Sequence, residues 1–462
     1  EEPDQKCVGE KVRRRNFETV RRTCMKIVQI NTFPYKATGS IMMGIHRLLI
    51  QEGHESYVVW GRGREPQNEH EISIRDDVGV KFHGVYTRIT DRTGFASWNA
   101  TRKLILEIEK INPDIIHLHN VHGYYLNIEM LFDYIKKNHA KLVWTLHDCW
   151  SMTGHCAYFD MVCCDKWMSG CYHCEQKSTY PASKILDSSE WNWKKKKELF
   201  SGLNAHIVTP CNWLKKIVEK SFLNEYPVNV IYNGINTDVF YPKYNKELRN
   251  KYSPDGNPIV LGVASEWTER KGLADFISLA EKYKDVKFVV VGVNAEQARQ
   301  LPKEITGICR TNNVNELVEL YSTADVFFNP TYEDNFPTTN LEALACGTPI
   351  VTYDTGGSPE VIESAFEVQE KVIGIVVRKS SSKTVDLKKV IEEIRRMIGY
   401  VNRSVVDKID YNDLISEETE CSKKSFDNRK SQLRKECRRV ALMYRQEQRF
   451  SEYLDIYRSI LS

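Results

Sequence analysis

Three carboxylates, Glu333, Asp334 and Glu342, share one short stretch of the chain, PTYEDNFPTTNLE at 330–342. The stretch follows a strand-like run, DVFFNP at 325, and leads into a helix-like one. The acids therefore stand around a helix N-terminus, whose unpaired N–H groups and dipole hold anions. Acids and an anion in one place are compatible when the ligand carries hydroxyls as well as phosphate, because a carboxylate accepts hydroxyl donors. The plain alternative is a helix start with capping acids. Nearer the N-terminus, Thr38, Gly39 and Ser40 follow the run KIVQIN and read equally as a phosphate-facing turn or a simple strand-to-helix turn.

Thiols form a second cluster. Cys156, Cys164, Cys171 and Cys174 are spaced C-x7-C-x6-C-x2-C, which reads as a structural zinc site on a loop. Buried or oxidisable thiols are the alternative. The run Lys194 to Lys197, flanked by Trp191 and Trp193, suits an anionic lipid surface or a lipid pyrophosphate, against the plain reading of a solvated helix face.

Elements must position these residues. From Lys26 the chain alternates strand-like runs (KIVQIN, YVVW, IIHLH, LVWTLH, HIVT) with helix-length amphipathic stretches. A second series follows (NVIYNG, IVLGVA, KFVVVG, DVFFNP, PIVT, GIVV). The rhythm predicts α/β architecture with two doubly wound parallel sheets in tandem, and such sheets bind ligands beyond the carboxyl ends of their strands. The expected division is an N-terminal domain at 25–225 with a Cys-rich insert at 149–174, a hinge at 221–228, and a C-terminal domain at 226–420. A basic, solvated connector at 421–439 and a docked closing helix at 440–462 complete it. Residues 1–24 are polar and aperiodic and read as a disordered extension ahead of a native start at Met25.

Composition narrows the classes. With 41% hydrophobic and 27% charged residues over 462 positions, the chain is ordinary globular material, not a disordered or collagen-like one. Lys and Arg number 65 against 62 Asp and Glu, a bias too small to imply nucleic-acid binding. No run approaches the ~20 apolar residues of a membrane helix. The N-terminus lacks the order of a signal peptide, so the 13 cysteines are expected in a reducing compartment, the cytoplasm, with peripheral contact at the inner membrane face.

Taken together, these residues resemble the retaining nucleotide-sugar glycosyltransferases of family 4, with the two-domain GT-B architecture of Rossmann-like units around a cleft. The landmarks are Asp334 to Glu342 in place of a Glu-x7-Glu signature, then ALACGTPIV at 343–351, GGSPE at 356–360, and NGINTDVF at 233–240 with Pro242. LHDCWSMTGHC at 146–156 and HNVHGYY at 119–125 look most like the colanic-acid and capsule-type bacterial transferases.

The resemblance implies transfer of a sugar from a nucleoside diphosphate sugar to an acceptor hydroxyl, with retention and without a protein nucleophile. The first acid, Asp334 or its neighbour Glu333, is expected at the donor sugar, and Glu342 at the ribose. Asn335, Phe336, Pro337, Thr338 and Thr339 are expected around the sugar and phosphate, and backbone near Arg310 at the base. Lys271 matches the lysine that neutralises the leaving phosphate; the pattern's arginine is Glu266 here, which leaves Arg270 as the substitute. His119 matches the histidine that meets the donor sugar; Gly39 and Ser40 are expected at phosphate if their turn faces it, and His122 and His147 are candidates for the acceptor side. His117, on the same sheet face but deeper, reads as structural. The chain contains no Asp-x-Asp, so catalysis is expected to need no metal, and any zinc is structural. The implied partners are a nucleotide-sugar donor and a glycan or lipid-linked glycan acceptor, in exopolysaccharide, capsule or lipopolysaccharide synthesis. A sugar-nucleotide epimerase on the same fold and a catalytically weakened scaffold that binds nucleotide-sugar or polysaccharide are the competing readings.

Overall fold

The computed structural model describes residues 24–369, 372–380, 384–403 and 432–462. The N-terminal extension up to residue 23 and the first part of the expected connector, 421–431, lie outside the described residues.

Two parallel sheets form the frame. The first is seven-stranded, in the order β3-β2-β1-β4-β5-β6-β7, from β1 (Lys26–Asn31), β2 (Glu55–Trp60), β3 (Glu71–Ser73), β4 (Ile115–Leu118), β5 (Leu142–Thr145), β6 (Ala205–Thr209) and β7 (Val228–Val230). The second is six-stranded, in the order β10-β9-β8-β11-β12-β13, from β8 (Ile259–Val263), β9 (Lys287–Val291), β10 (Ile305–Ile308), β11 (Val326–Asn329), β12 (Ile350–Tyr353) and β13 (Gly374–Val377). Strands such as LVWT and VFFN are buried along their whole length, as expected where helices cover both faces of a sheet. Strand order reverses between β1 and β4 in one sheet and between β8 and β11 in the other. Those reversals open a crevice at the carboxyl ends, and His119 and Pro330 to Glu342 follow two of the strands that flank them.

The domain boundary falls later than expected. β7 pairs in parallel with β6, Ile207 opposite Val228, so NVIYNG closes the first sheet instead of opening the second. The chain crosses between domains after Ile231 and returns near Tyr444, and the two crossings are stitched together. Ile235 N–H donates to the Tyr444 carbonyl at 2.8 Å, and Gln446 N–H donates to the Ile235 carbonyl at 3.0 Å. Gly234 permits this approach, since a Cβ there would stand 2.4 Å from Gln446 Cα.

The last helix is docked, and the described residues of the connector are packed instead of solvated. A helix at 432–442, α14, buries Leu433 and Cys437. Its Arg434 guanidinium donates to the carbonyls of Ser322 and Ala324, each at 2.7 Å, and Arg438 donates to Thr237 O at 2.8 Å. These arginines are tied to backbone carbonyls of the C-terminal domain, which a count of charges alone does not reveal. The last helix, α15 (Gln446–Leu461), then packs on α1 (Lys36–Gln51), with Phe450, Leu454 and Tyr457 in one core with Ile27, Ile45 and Leu49. The C-terminus of the chain thereby completes the N-terminal domain.

His117 is held in that seam. Its Nδ1 pairs with Tyr457 Oη at 2.7 Å and its Nε2 with Thr145 Oγ1 at 2.8 Å, all buried. Losing one partner of a buried polar pair costs about 1–3 kcal/mol. Tyr457→Phe is therefore expected to lower unfolding free energy by that amount in urea titration, with an unchanged m-value. A loss below about 0.5 kcal/mol would mean the seam does not depend on this pair.

Candidate functional site

The loop after β11 carries the acids, and the loop after β12 holds it in place. Gly356 and Gly357 pack directly on it: a Cβ at Gly356 would stand 1.7 Å from the Asp334 carbonyl, and one at Gly357 2.3 Å from the Asn335 carbonyl. Gly357 N–H donates to that Asn335 carbonyl at 2.6 Å. So held, successive side chains diverge. Asp334 forms an ion pair with Lys271, which stands on the turn after β8, and both are partly exposed in the crevice. Glu333 is buried and accepts the Met161 N–H of the Cys-rich loop at 2.8 Å, across the domain boundary. Burial raises the pKa of Glu333. Asn335 donates through Nδ2 to the His147 carbonyl on the opposite domain.

Arg270 points elsewhere than expected. Its guanidinium donates to the Glu333 carbonyl at 2.8 Å and lies 4.6 Å from the centre of the Tyr158 ring. It fixes the acid loop and the Cys-rich insert, leaving Lys271 as the cation beside Asp334. Next along, α11 (Thr338–Ala345) begins after Pro337, so the N–H groups of Thr338 and Thr339 are among those no helix carbonyl can meet. Phe336 is packed between Tyr232 and Tyr444 at the interdomain crossing, so its ring supports the crossing instead of facing the crevice. Glu342, in the second turn of α11, accepts the Tyr321 hydroxyl at 2.9 Å, and burial raises its pKa. Arg310 is exposed just beyond β10, the edge strand of its sheet.

The N-terminal domain presents histidines to the same crevice. His119 Nδ1 meets His147 Nε2 at 3.1 Å, with the rings stacked at 5.4 Å, and its Nε2 lies 3.4 Å from Gln29 Oε1. Burial, with His117 and His147 alongside, pushes the His119 pKa well down, and burial takes His147 to about 4 and His117 to about 3. These rings are neutral at pH 7. His122 pairs with Asp148 at 2.8 Å and with the Tyr180 hydroxyl at 3.0 Å. Gly39 and Ser40 do not form the turn. α1 begins at Lys36, so its first free N–H groups precede them; Gly39 packs on the Phe33 carbonyl and Ser40 is exposed.

Among the described residues, Gln29 Nε2, Asn335 Oδ1 and Ser358 Oγ are buried without a hydrogen-bond partner. Buried polar atoms are rarely left so; others occur elsewhere in the molecule, and these three stand on β1 and on the loops after β11 and β12. Two further residues bridge the domains in a way the sequence did not reveal. Glu360, at the start of α12 (Glu360–Gln369), accepts the backbone N–H groups of Asn212 and Trp213 at 2.9 and 2.8 Å, and so caps α6 (Asn212–Lys220) of the other domain. Lys379, beyond β13, donates to Thr355 Oγ1 at 2.8 Å and lies 3.5 Å from Asp160 of the Cys-rich insert. GGSPE already flagged Glu360, but a partner in another domain leaves no local signal; Lys379 carried none.

The Cys-rich insert closes over this region. Cys156, Cys164, Cys171 and Cys174 line one cavity of about 20 Å³, and the Gly154 N–H donates to Cys171 Sγ at 3.1 Å. Among the described residues no group of three or more Cys, His, Asp or Glu side chains stands close enough to hold a metal ion. The lysine run supports the insert from behind. Lys196 is buried, donates to Trp150 O at 2.7 Å and Thr153 O at 3.0 Å, and burial lowers its pKa to about 7. Lys194 pairs with Glu190, and Lys195 with Glu129 and Glu198. Trp193 is buried. Lys196 and Trp193 are thus packed within the protein, while Lys194, Lys197 and Trp191 are exposed.

Comparison with known proteins agrees in both halves. Residues 40–239 match the family model "Glycosyltransferase Family 4", and residues 245–394 match "Glycosyl transferases group 1". The putative colanic acid biosynthesis glycosyl transferase WcaC of Escherichia coli is 23% identical over 74% of this chain and 86% of its own length. A Campylobacter jejuni N,N'-diacetylbacillosaminyl-diphospho-undecaprenol alpha-1,3-N-acetylgalactosaminyltransferase is 35% identical over 29% of this chain and 38% of its own length. Among solved structures, sucrose-phosphate synthase from Thermosynechococcus elongatus superposes with a TM-score of 0.64 at 15% identity, covering 95% of this chain and 99% of that one. Anabaena Alr3699/HepE in complex with UDP gives 0.55 at 13% identity, covering 94% and 100%.

The histidine cluster has a measurable consequence. His117, His119 and His147 take up protons on unfolding, where their pKa returns to ~6.5. Between the folded and unfolded values the unfolded state binds more protons, so stability rises with pH and is lost as pH falls below ~6.5. Each histidine is expected to cost roughly 1–2 kcal/mol by about pH 5. Urea unfolding compared at about pH 7 and about pH 5 checks this; equal midpoints would mean these rings are not buried neutral.

Proposed function

Since this chain belongs to the family 4 glycosyltransferases of GT-B architecture, we propose that it moves a sugar from a nucleoside diphosphate sugar to an acceptor hydroxyl with retention at the anomeric carbon. That it is a glycosyltransferase follows from the family; the donor, stereochemistry and residue roles are our reading. The observation that carries it is the Lys271–Asp334 pair at the strand-order reversal, facing neutral histidines and the orphaned Gln29 amide on the opposite wall.

The pair is a place-holder for the donor. When a diphosphate enters, Lys271 turns to its terminal phosphate, and the N–H groups at the start of α11 take further phosphate oxygens. Asp334 is then released to accept hydroxyls of the sugar. Glu342 holds the ribose. Neutral His119 donates or accepts a hydrogen bond at the sugar without adding charge. As the bond to the anomeric carbon breaks, negative charge grows on the phosphate, and a fixed ammonium stabilises it most where water is excluded. The departing phosphate oxygen takes the acceptor proton, so no protein nucleophile is required. Lysine and helix dipole supply the positive charge, so we read the reaction as metal-independent. Glu333, tied to Met161, positions the insert and does not touch the sugar.

The acceptor in our reading is a lipid-linked glycan of surface polysaccharide assembly. Similarity to the WcaC and undecaprenol-linked enzymes supports this class. Tyr180, His122 and Asp148 line its approach.

The test is release of nucleoside diphosphate in the presence of a lipid-pyrophosphate glycan acceptor. Lys271→Ala and Asp334→Asn are expected to lower kcat by about 10²-fold or more, the effect of removing one transition-state charge contact. Glu333→Gln is expected to change kcat far less and to raise acceptor KM. Equal losses for Glu333→Gln and Asp334→Asn would reverse the assignment of the two acids. Nucleotide binding without any transfer would favour the scaffold reading.

For the insert, we propose that the four thiols close around one structural zinc. N–H donation to sulfur and a shared cavity suit thiolate ligands. Elemental analysis of purified protein is expected to find about one zinc per chain, lost in Cys171→Ser/Cys174→Ser. Metal-free protein of unchanged thermal stability would overturn it.

A further inference from the structure

A cavity of about 320 Å³ lies on the first domain away from the crevice, lined by His46, Arg47, Ile50, Gln51, Asn68 and His70. Four of these stand on the last turns of α1, and two on the turn that leads into β3. The chain passes from the end of α1 to the start of β2, so the cavity sits at the amino ends of the parallel strands, whereas the crevice opens at their carboxyl ends. A strand of the length of β2 spans about 20 Å, and that depth of sheet separates the two concavities.

The lining carries hydrogen-bonding groups that the protein does not use. His46 is 6% exposed, and its Nδ1 pairs with Ser56 Oγ at 2.9 Å. Among the described residues its Nε2 has no hydrogen-bond partner. Neither ring nitrogen of His70 has one: Nδ1 is buried and unpartnered, and Nε2 lies 3.8 Å from Glu69 Oε1, beyond hydrogen-bond length. Buried polar atoms are ordinarily bonded. Arg47, Gln51 and Asn68 are exposed around the rim, and Asn68 Oδ1 accepts the His70 N–H at 3.0 Å. Ile50, 42% exposed, supplies one apolar wall. A concavity with one apolar wall and several convergent polar groups is the usual form of a small-molecule site, and this volume falls at the lower end of the range for such sites.

Charge narrows the ligand. Burial takes the His46 pKa to about 4, so that ring is neutral at pH 7. Arg47 is the one cation of the lining, Glu69 is an exposed acid beside His70, and Glu71 is tied to Arg64 at 2.7 Å. The carbonyl end of α1 adds negative potential. A phosphate or carboxylate would gain one guanidinium and meet an acid and the negative end of a helix. A metal ion would lack ligands, since among the described residues no group of three or more Cys, His, Asp or Glu side chains stands close enough to hold one. A neutral molecule whose groups both donate and accept fits best, because imidazole nitrogens, amides and a guanidinium offer both kinds of partner. Sugar hydroxyls have that dual character, and the C–H face of a pyranose matches Ile50.

We propose that this cavity is a second carbohydrate site, separate from the crevice, which holds one neutral pyranose residue of a glycan. Arg47, Gln51, Asn68 and the two histidines meet its hydroxyls, and Ile50 lies against its ring. Binding there requires neither donor nor transfer, so the site stands apart from the transferase reading. A glycan held at such a site is kept at raised local concentration near the same protein molecule.

Saturation-transfer NMR on the full chain tests this, with the methyl α-glycosides of D-glucose, D-galactose, D-mannose and L-fucose, and with N-acetyl-D-glucosamine, as probes. At least one is expected to bind. Arg47→Ala/Gln51→Ala is expected to weaken that binding about fivefold or more, the loss of one or two hydrogen bonds. Asp334→Asn, in the crevice, is expected to leave it unchanged. Both substituted rim residues are exposed, so thermal unfolding of the double variant should match the parent and excludes misfolding as the cause. Failure of every probe to bind overturns the proposal, and so does a cavity that takes inorganic phosphate but no sugar. Binding that survives in the double variant, or that Asp334→Asn removes, overturns it as well, because the sugar then sits in the crevice. Absence of glycosyl transfer with sugar binding intact would count against the transferase reading and leave this site untouched.

Discussion

The contact on which the crevice depends is a backbone one. The loop after β11 lies so close to the loop after β12 that only glycine fits at 356 and 357. Fixing those carbonyls fixes the peptide planes between them, and with these the directions in which the side chains of this bent segment leave it. Asp334 then faces Lys271 inside the C-terminal half, while Glu333 and Asn335 face the other domain. Two adjacent acids acquire different tasks from one steric constraint.

The halves are joined by contrasting means. The crossing at Ile235 and Tyr444 is a backbone stitch backed by an aromatic cluster, and α15 adds an apolar seam with α1. At the crevice the contacts are polar: Glu360 on the start of α6, Glu333 on Met161, Lys379 near Asp160. Polar contacts exchange for water at small net cost, whereas the apolar seam does not. Opening about the stitched crossing would thus break these polar contacts together with the stack of Tyr158 on Arg270.

The Cys-rich insert ties these parts together. It rests on buried Lys196, reaches Glu333 through Met161, and stacks Tyr158 on Arg270. Its ordering and that of the acid loop are consequently coupled, and a residue such as Arg270 acts by holding the loop that carries the chemistry.

Much was legible in the chain by itself. Apolar runs of strand length separated by amphipathic stretches determine two parallel sheets, because buried strands and half-buried helices have distinct periodicities. The acids at 333–342 were visible because ligands of such sheets gather where strands end, and Lys271 through the family resemblance. What the tertiary structure decided concerns partners distant in sequence. It assigned β7 to the first sheet, buried Lys196, tied Arg434 to backbone carbonyls, and moved the start of α1 ahead of Gly39. It also separated Glu333 from Asp334, sending one to the other domain and the other to Lys271. A charge or a methyl group has the same letter whether it meets water, a carbonyl or another domain. Only packing determines which, since burial energies depend on the surroundings and not on the residue alone.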